Sequence, residues 1–262
     1  MKPVTEWLAE ERRARIAQLL AEQGKVTVQQ LIQCFQVSED TVRRDLKDMA
    51  EQGLLRRVHG GAMPVQARAP GGTWRERQGT DEAEKLALVR AMLAELEGGE
   101  LLFVDSGTTN ALLARELPRH LPFTVITTNP QAALALVDHP RCEVVLPGGR
   151  LNPRTASVVG PQALELIESV RADVCLLGVC AVSSEAGITC TEYEEQAIKQ
   201  AMLRRAHRTL ALATSAKLGA ELPYRVAPVE AVSRLFTTAT EDDPARRAVQ
   251  ALGVQVRAVP LG

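Results

Sequence analysis

The chain has 262 residues, enough for two domains and a large buried core. Its 31 basic and 32 acidic residues leave a formal net charge of -1, which excludes a uniformly basic, sequence-indifferent nucleic-acid coat and confines any DNA affinity to a local patch. The five cysteines (Cys34, Cys142, Cys175, Cys180, Cys190) are scattered without CxxC spacing and the four histidines do not cluster with them, so no disulfide framework, metal site or other cofactor is expected.

At the N-terminus, Met-Lys-Pro-Val-Thr-Glu lacks the apolar core of a signal peptide, and no uncharged apolar run is long enough to span a membrane. A cytoplasmic protein with no membrane partner is expected. From Trp7 to Gln23, Ile16, Leu19 and Leu20 repeat at helical spacing, and Gly24 stops the helix.

The stretch TVQQLIQCFQVSEDTVRRDLKDMAEQGLLRRVHGGA, Thr27–Ala62, carries the strongest signal. Thr27 and Gln30 fit a capping box, with Val26 and Leu31 at the positions of a hydrophobic staple. Ser38 offers a second N-cap, with Val37 and Val42 stapled across it. Only Gln36 and Val37 separate the two helices, which forces a sharp angle. In the second helix Val42, Leu46 and Met49 make one apolar stripe, leaving Arg43, Arg44 and Lys47 on the outer arc, and Gly53 ends it. The hairpin Leu54–Gly61 follows. Together these elements predict a winged helix-turn-helix, with Thr27, Ser38, Thr41, Arg43, Arg44, Lys47, Arg57 and His59 as candidate contacts to double-stranded operator DNA. The alternative is a solvated face whose cations pair with Asp45, Asp48 and Glu51.

Met63 to Thr80 contains Ala69-Pro70-Gly71-Gly72 and no apolar period, which predicts a linker between a domain over 1–62 and another over 81–262. Beyond it, strands are expected at Leu101–Val104, Phe123–Thr127, Cys142–Leu146, Val174–Val179, Thr209–Thr214, Arg234–Thr237 and Val254–Val256. Helices are expected near 82–96, 109–117, 130–137, 162–169, 193–206 and 244–251. Short aliphatic strands alternating with helices predict an α/β domain with a mostly parallel, Rossmann-like sheet covered on both faces.

Ligands of such sheets bind beyond the C-terminal ends of the strands. The first strand runs into Asp105-Ser106-Gly107-Thr108-Thr109, a hydroxyl-rich turn that opens a helix and presents free amides to an anion, phosphate being the natural candidate. The second ends in Thr127-Thr128-Asn129-Pro130. The third ends in Pro147-Gly148-Gly149-Arg150, where the glycines suit either a plain turn or close approach to a ligand. Glu195 and Lys199 stand four apart, the spacing of a surface ion pair, and Lys217 follows the strand Thr209–Thr214.

With these residues in view, the chain resembles the DeoR family of bacterial transcriptional regulators over nearly its full length. SEDTVRRDLKDMAEQGLLRRVHGGA (Ser38–Ala62) resembles the family's DNA-binding signature. DSGTT (Asp105–Thr109), TTN (Thr127–Asn129), LPGGRL (Leu146–Leu151), VVGP (Val158–Pro161) and EYEEQAIKQAML (Glu192–Leu203) resemble its sensor domain in the same order. The resemblance implies a sensor fold shared with ribose-5-phosphate isomerase and glucosamine-6-phosphate deaminase. It also implies a phosphorylated sugar or related metabolite as effector, and a homo-oligomer, dimer or tetramer. Ser106, Gly107, Thr108 and Thr109 would then hold the phosphate, with Asp105, Asn129, Gly148, Gly149, Arg150, Glu195, Lys199 and Lys217 around the remainder. Two stretches depart from the family pattern: Gly178-Val179-Cys180-Ala181-Val182-Ser183 and Thr214-Ser215-Ala216-Lys217-Leu218-Gly219 each lack an expected acid. A repressor of a carbohydrate-catabolic operon, with no catalytic residues, is the function implied. The competing reading is a sugar-phosphate isomerase or deaminase using Glu195 or Lys199 for proton transfer.

Overall fold

The periodic segments fold as two units, Met1–Arg68 and Ala69–Gly262. The structure, a computed structural model, describes residues 7–23, 26–51, 54–58, 60–64 and 72–261. Gly24, Gly53, His59 and the Ala69-Pro70-Gly71 stretch lie outside the described residues.

In the first unit, α1 (Ala9–Gln23) is followed by β1 (Val26–Thr27), α2 (Val28–Phe35), α3 (Glu39–Glu51), β2 (Leu55–Val58) and β3 (Gly61–Pro64). The three strands form an antiparallel sheet in the order β1-β3-β2. Thr27 caps α2 as expected: its hydroxyl accepts from the Gln30 amide at 3.1 Å while the Thr27 amide donates back to Gln30. Ile16, Leu31, Val42, Leu46 and Met49 fill the core, and Trp7 meets Phe35 edge-on with ring centroids 5.3 Å apart.

The second unit begins with α4 (Trp74–Arg77) and α5 (Glu82–Leu93). The stretch 63–80, expected as linker, therefore carries structure at both ends: Met63 and Pro64 complete β3, and Trp74–Arg77 is a capped helical turn. The cause is a second capping box, in which the Glu76 amide donates to the Thr73 hydroxyl at 3.3 Å and the Thr73 amide donates to Glu76 at 2.7 Å. Trp74 is buried, and its amide donates to the Arg154 carbonyl at 2.6 Å.

Then come β4 (Leu101–Val104), α6 (Thr108–Glu116), β5 (Phe123–Thr127), α7 (Pro130–Leu136), β6 (Cys142–Val145), β7 (Arg150–Asn152) and β8 (Ser157–Val159). After these follow α8 (Pro161–Ser169), β9 (Ala172–Gly178), β10 (Ala181–Ser183), β11 (Gly187–Cys190), α9 (Tyr193–Arg205) and β12 (Ala206–Ala213). The unit ends with β13 (Tyr224–Ala227), β14 (Arg234–Thr237), α10 (Pro244–Ala251) and β15 (Val256–Ala258).

Seven of the strands form one parallel sheet in the order β15-β14-β12-β9-β4-β5-β6. Alternate residues bury opposite faces, as period-two pleating requires. Phe103, Cys175, Leu177, Ala211 and Leu235 pack on one side with α8 and α9 residues such as Ile167 and Met202. Leu102, Val104, Val174, Leu176 and Leu212 pack on the other with Leu88, Leu113 and Leu136. The last strand sits two residues later than expected. The small sheet β10-β11-β13 and the β7–β8 hairpin were not foreseen. Among the described residues no helix is long and apolar enough to cross a membrane.

Candidate functional site

On the first unit, Ser38 caps α3 by accepting from the Thr41 amide at 3.2 Å, and its hydroxyl lies 2.9 Å from that of Thr41. The three acids of the alternative reading do not share one face. Asp45 is buried and bonds Arg12 of α1 at 2.7 Å, and Asp48 bonds Arg13 at 2.6 Å. Only Glu51 pairs with Lys47, at 3.7 Å, and Arg43 pairs with Glu39 one turn back. Arg43, Arg44 and Lys47 stay exposed, as do Thr27, Ser38 and Arg57, with Thr41 half-buried.

In the second unit, the strand order reverses direction between β4 and β9, and the segments leaving these two strands part to form a cleft. Its volume, open mouth included, is about 510 Å³. Ser106, Gly107, Thr108 and Thr109 line it from the start of α6, and Gly178, Val179 and Cys180 from the end of β9. No side chain caps α6, whose N-cap is Gly107, so its first turn presents backbone donors and the positive end of the helix dipole. Gly178 permits the close crossing: a Cβ there would lie 2.5 Å from the Ser106 carbonyl oxygen and 3.0 Å from Asp105.

Glu195 and Lys199 face inward from α9 rather than forming a surface pair. Lys199 bonds Asp105 with both side chains buried, and also donates to the Gly178 carbonyl at 2.9 Å. Asp105 accepts from the Gly178 amide at 2.8 Å. Burial pushes the Asp105 carboxyl upward, against the pull of Lys199. Burial, the largest single influence, would lower Lys199, but Asp105, Cys180 and Glu195 together outweigh it and hold the ammonium above the ordinary lysine value. Glu195 accepts from Ser106 at 3.1 Å and from Ser157 at 2.6 Å. Lys217 donates to the Val179 carbonyl at 2.7 Å, and burial, with Arg77, Lys85 and Lys199 adding to it, lowers its pKa to about 8 despite an opposing pull from Cys180.

Seven expected residues thus line the cleft: Ser106, Gly107, Thr108, Thr109, Glu195, Lys199 and Lys217. Asp105 lies beneath it. Asn129 stands outside the lining, capping α7 with its side-chain oxygen and donating to the Gly107 carbonyl at 3.0 Å, which fixes the Ser106–Thr109 turn from behind. Gly148, Gly149 and Arg150 are also outside. Gly149 lets β7 close on β8, since a Cβ there would lie 2.5 Å from the Val159 carbonyl oxygen, and the exposed Arg150 pairs with Glu194. Sequence reasoning missed Gly72, Arg77, Thr155 and Thr191 as lining residues. The Thr73-x-x-Glu76 capping pattern was the available signal for the turn that carries Arg77.

A helix-turn-helix unit with an outward basic helix, joined to a larger α/β unit with a cleft, is the architecture of a two-domain transcriptional regulator. Residues 12–67 match the DeoR-like helix-turn-helix domain, and residues 80–239 match the DeoR C terminal sensor domain. The chain belongs to the DeoR family of transcriptional regulators. It is 31% identical over 249 residues to the HTH-type transcriptional regulator GlpR of Haloferax volcanii, covering 95% of this chain and 97% of that protein. It is 29% identical over 229 residues to the glycerol-3-phosphate regulon repressor of Escherichia coli K12, covering 87% and 90%. Ribose 5-phosphate isomerase A from Methanocaldococcus jannaschii aligns at 15% identity over 55% of this chain and 56% of that one, with a TM-score of 0.40, a likeness too loose to bear on function.

Proposed function

We propose that the protein is a repressor that holds an operator as a dimer or tetramer and releases it when a phosphorylated sugar or related metabolite enters the cleft. The observation that carries this reading is the uncapped N-terminus of α6 facing Lys217 in one cleft. Backbone donors, a helix dipole and an ammonium suit a phosphate dianion. The name of the Escherichia coli relative, a repressor of a glycerol-3-phosphate regulon, points to the same ligand chemistry. Release follows only if the metabolite prefers the arrangement that does not bind DNA. No catalysis is proposed, because Glu195 is occupied by Ser106 and Ser157, and Lys199 by Asp105. Action on DNA in the cytoplasm is part of the proposal.

Fluorescence anisotropy with duplexes from the gene's own upstream region tests DNA binding. A thermal-shift panel of phosphorylated three- to six-carbon metabolites tests the cleft, since a ligand of the native state raises its melting temperature. Thr108→Trp should leave repression that no metabolite relieves. A Thr108→Trp variant that is induced normally would remove the cleft from the mechanism.

A further inference from the structure

We infer that Cys180 and Cys190 form a redox-active thiol pair in the wall of the cleft, which a peroxide converts to a disulfide. The antiparallel register of β10 and β11 brings them together. Ala181 stands opposite Thr189, Val182 opposite Ile188 and Ser183 opposite Gly187, so one step further sets Cys180 against Cys190. Directly opposed residues of an antiparallel pair have Cα atoms about 4.5–5.5 Å apart and side chains on one face, within the span of about 4.4–6.8 Å that a disulfide bridges. Both are free thiols, and Cys180 is close enough for its charge to act on Cys190. The other cysteines of the second unit have no such opposite: Cys142 stands against Phe123, and Cys175 between Phe103 and Thr209.

Their surroundings give the two thiols different roles. Cys180 is half-buried and lines the cleft with Lys199 and Lys217, both near enough for its charge to act on them. A partly exposed thiol among cations is the setting of a reactive cysteine. Cys190 is fully enclosed and its thiol donates to the Glu192 carbonyl at 3.5 Å. Burial lifts that thiol to about 12, against an opposing pull from Lys199. An oxidant therefore meets Cys180 first, and Cys190 resolves the product.

In the first step the Cys180 sulfur attacks one oxygen of hydrogen peroxide and the O–O bond breaks. The products are a sulfenic acid and hydroxide, which takes up the Cys180 proton as water. The Cys190 sulfur then attacks the sulfenic sulfur, the S–O bond breaks, and the hydroxide leaves with the Cys190 proton as a second water. Two thiols and one peroxide become one disulfide and two waters, and a small thiol reverses the change by exchange. The bond ties Val179 and Cys180 to the chain just before Thr191, so it joins two segments of the cleft lining. Oxidation thus acts on the cavity itself, whatever ligand the cavity takes.

The test exposes the full, folded chain to a small excess of hydrogen peroxide, alkylates the remaining thiols, and maps peptides by mass spectrometry without reductant. A glutamate-specific protease suits the map, because Glu185 lies between the two cysteines. A peptide pair linked through Cys180 and Cys190 is expected, and dithiothreitol should dissolve it. Cys180→Ser should abolish the linkage and leave Cys190 reduced. Cys190→Ser should stop the reaction at a Cys180 sulfenic acid that dimedone labels. Cys190 belongs to the core and its serine variant can fail to fold, so the wild-type map is decisive by itself. Cys180 and Cys190 remaining unlinked at a peroxide dose that oxidises the exposed Cys34 overturns the inference. A Cys190 linkage that persists in Cys180→Ser overturns it as well.

Discussion

The two groups of cations in this molecule are held in opposite ways. On α3, Arg43 and Lys47 are more than half exposed, and each has an acid one turn away on its own helix. Such pairs contribute roughly 0.2–0.5 kcal/mol and exchange readily for phosphate oxygens. In the sensor cleft, Lys199 is fully buried and committed to Asp105, while Lys217 and Arg77 are half-buried with no carboxylate of the described residues in ion-pair reach. Exposed charges suit a long, salt-sensitive contact with a polyanion. Buried ones are unfavourable when alone, and so suit one small anion that displaces water. The contrast teaches where each unit's chemistry resides: in surface charge density for the first, in desolvation for the second.

The comparison breaks most severely at the buried pair. Lys199→Met should leave Asp105 without its partner and destabilise the second unit by about 3–5 kcal/mol, measured by calorimetry. Adding Asp105→Leu should recover much of this. A loss under about 1 kcal/mol, the value of a hydrated surface pair, would show that the site is wetter than its geometry implies. On the exposed side, Arg43→Ala should weaken operator binding by about 1–3 kcal/mol if the guanidinium reads a base, with sensor stability unchanged. Unaltered anisotropy curves would move the reading role to another residue. Ser38→Ala removes the α3 cap and should lower the first unit's stability by about 1 kcal/mol.

The smallest effect sharpens the contrast through pH. The folded pKa of Lys217, about 8, lies below its ordinary value of 10.5. The empty second unit is therefore penalised at neutral pH and should gain stability as pH rises above about 8 toward the unfolded value. Affinity for a phosphate monoester should move oppositely, falling a few-fold between about pH 7 and 9 as the ammonium is lost, since the ligand, with a second pKa of about 6, is already a dianion there. Lys217→Met should flatten the profile, and a profile that stays steep in that variant would place the titrating group elsewhere. DNA binding through Arg43 should show no such dependence.

Most of the large sheet was legible because strands such as β4 (Leu101–Val104) and β9 (Ala172–Gly178) carry short aliphatic runs. Leu101–Val104, Phe123–Thr127 and Arg234–Thr237 form where their composition places them. The β13 strand escaped notice because what fixes it is distant in sequence, Ala227 standing opposite Ile188 of β11. Within the cleft, Ser106–Thr109 was legible as a hydroxyl-rich turn that opens a helix at a strand end, and the structure separates it from a plain cap because no side chain caps α6. Gly148–Arg150 suited a plain turn as well as a ligand, and Gly149 answers to the crowding of Val159. Arg77 was hidden by the Pro/Gly-rich stretch just before it. Glu195 and Lys199 carried the spacing of a surface pair, and only the packing of α9 onto the sheet turned them inward.

The chain's two tryptophans are divided between its units, Trp7 edge-on to Phe35 in one and Trp74 buried three residues before Arg77 in the other. Replacing either indole with phenylalanine leaves a single tryptophan, which can be excited apart from the two tyrosines at the red edge of the absorption band. Emission from the helix-turn-helix unit and from the sensor unit can then be followed one at a time, so the order in which the two respond to a mixing experiment becomes directly observable without any attached dye.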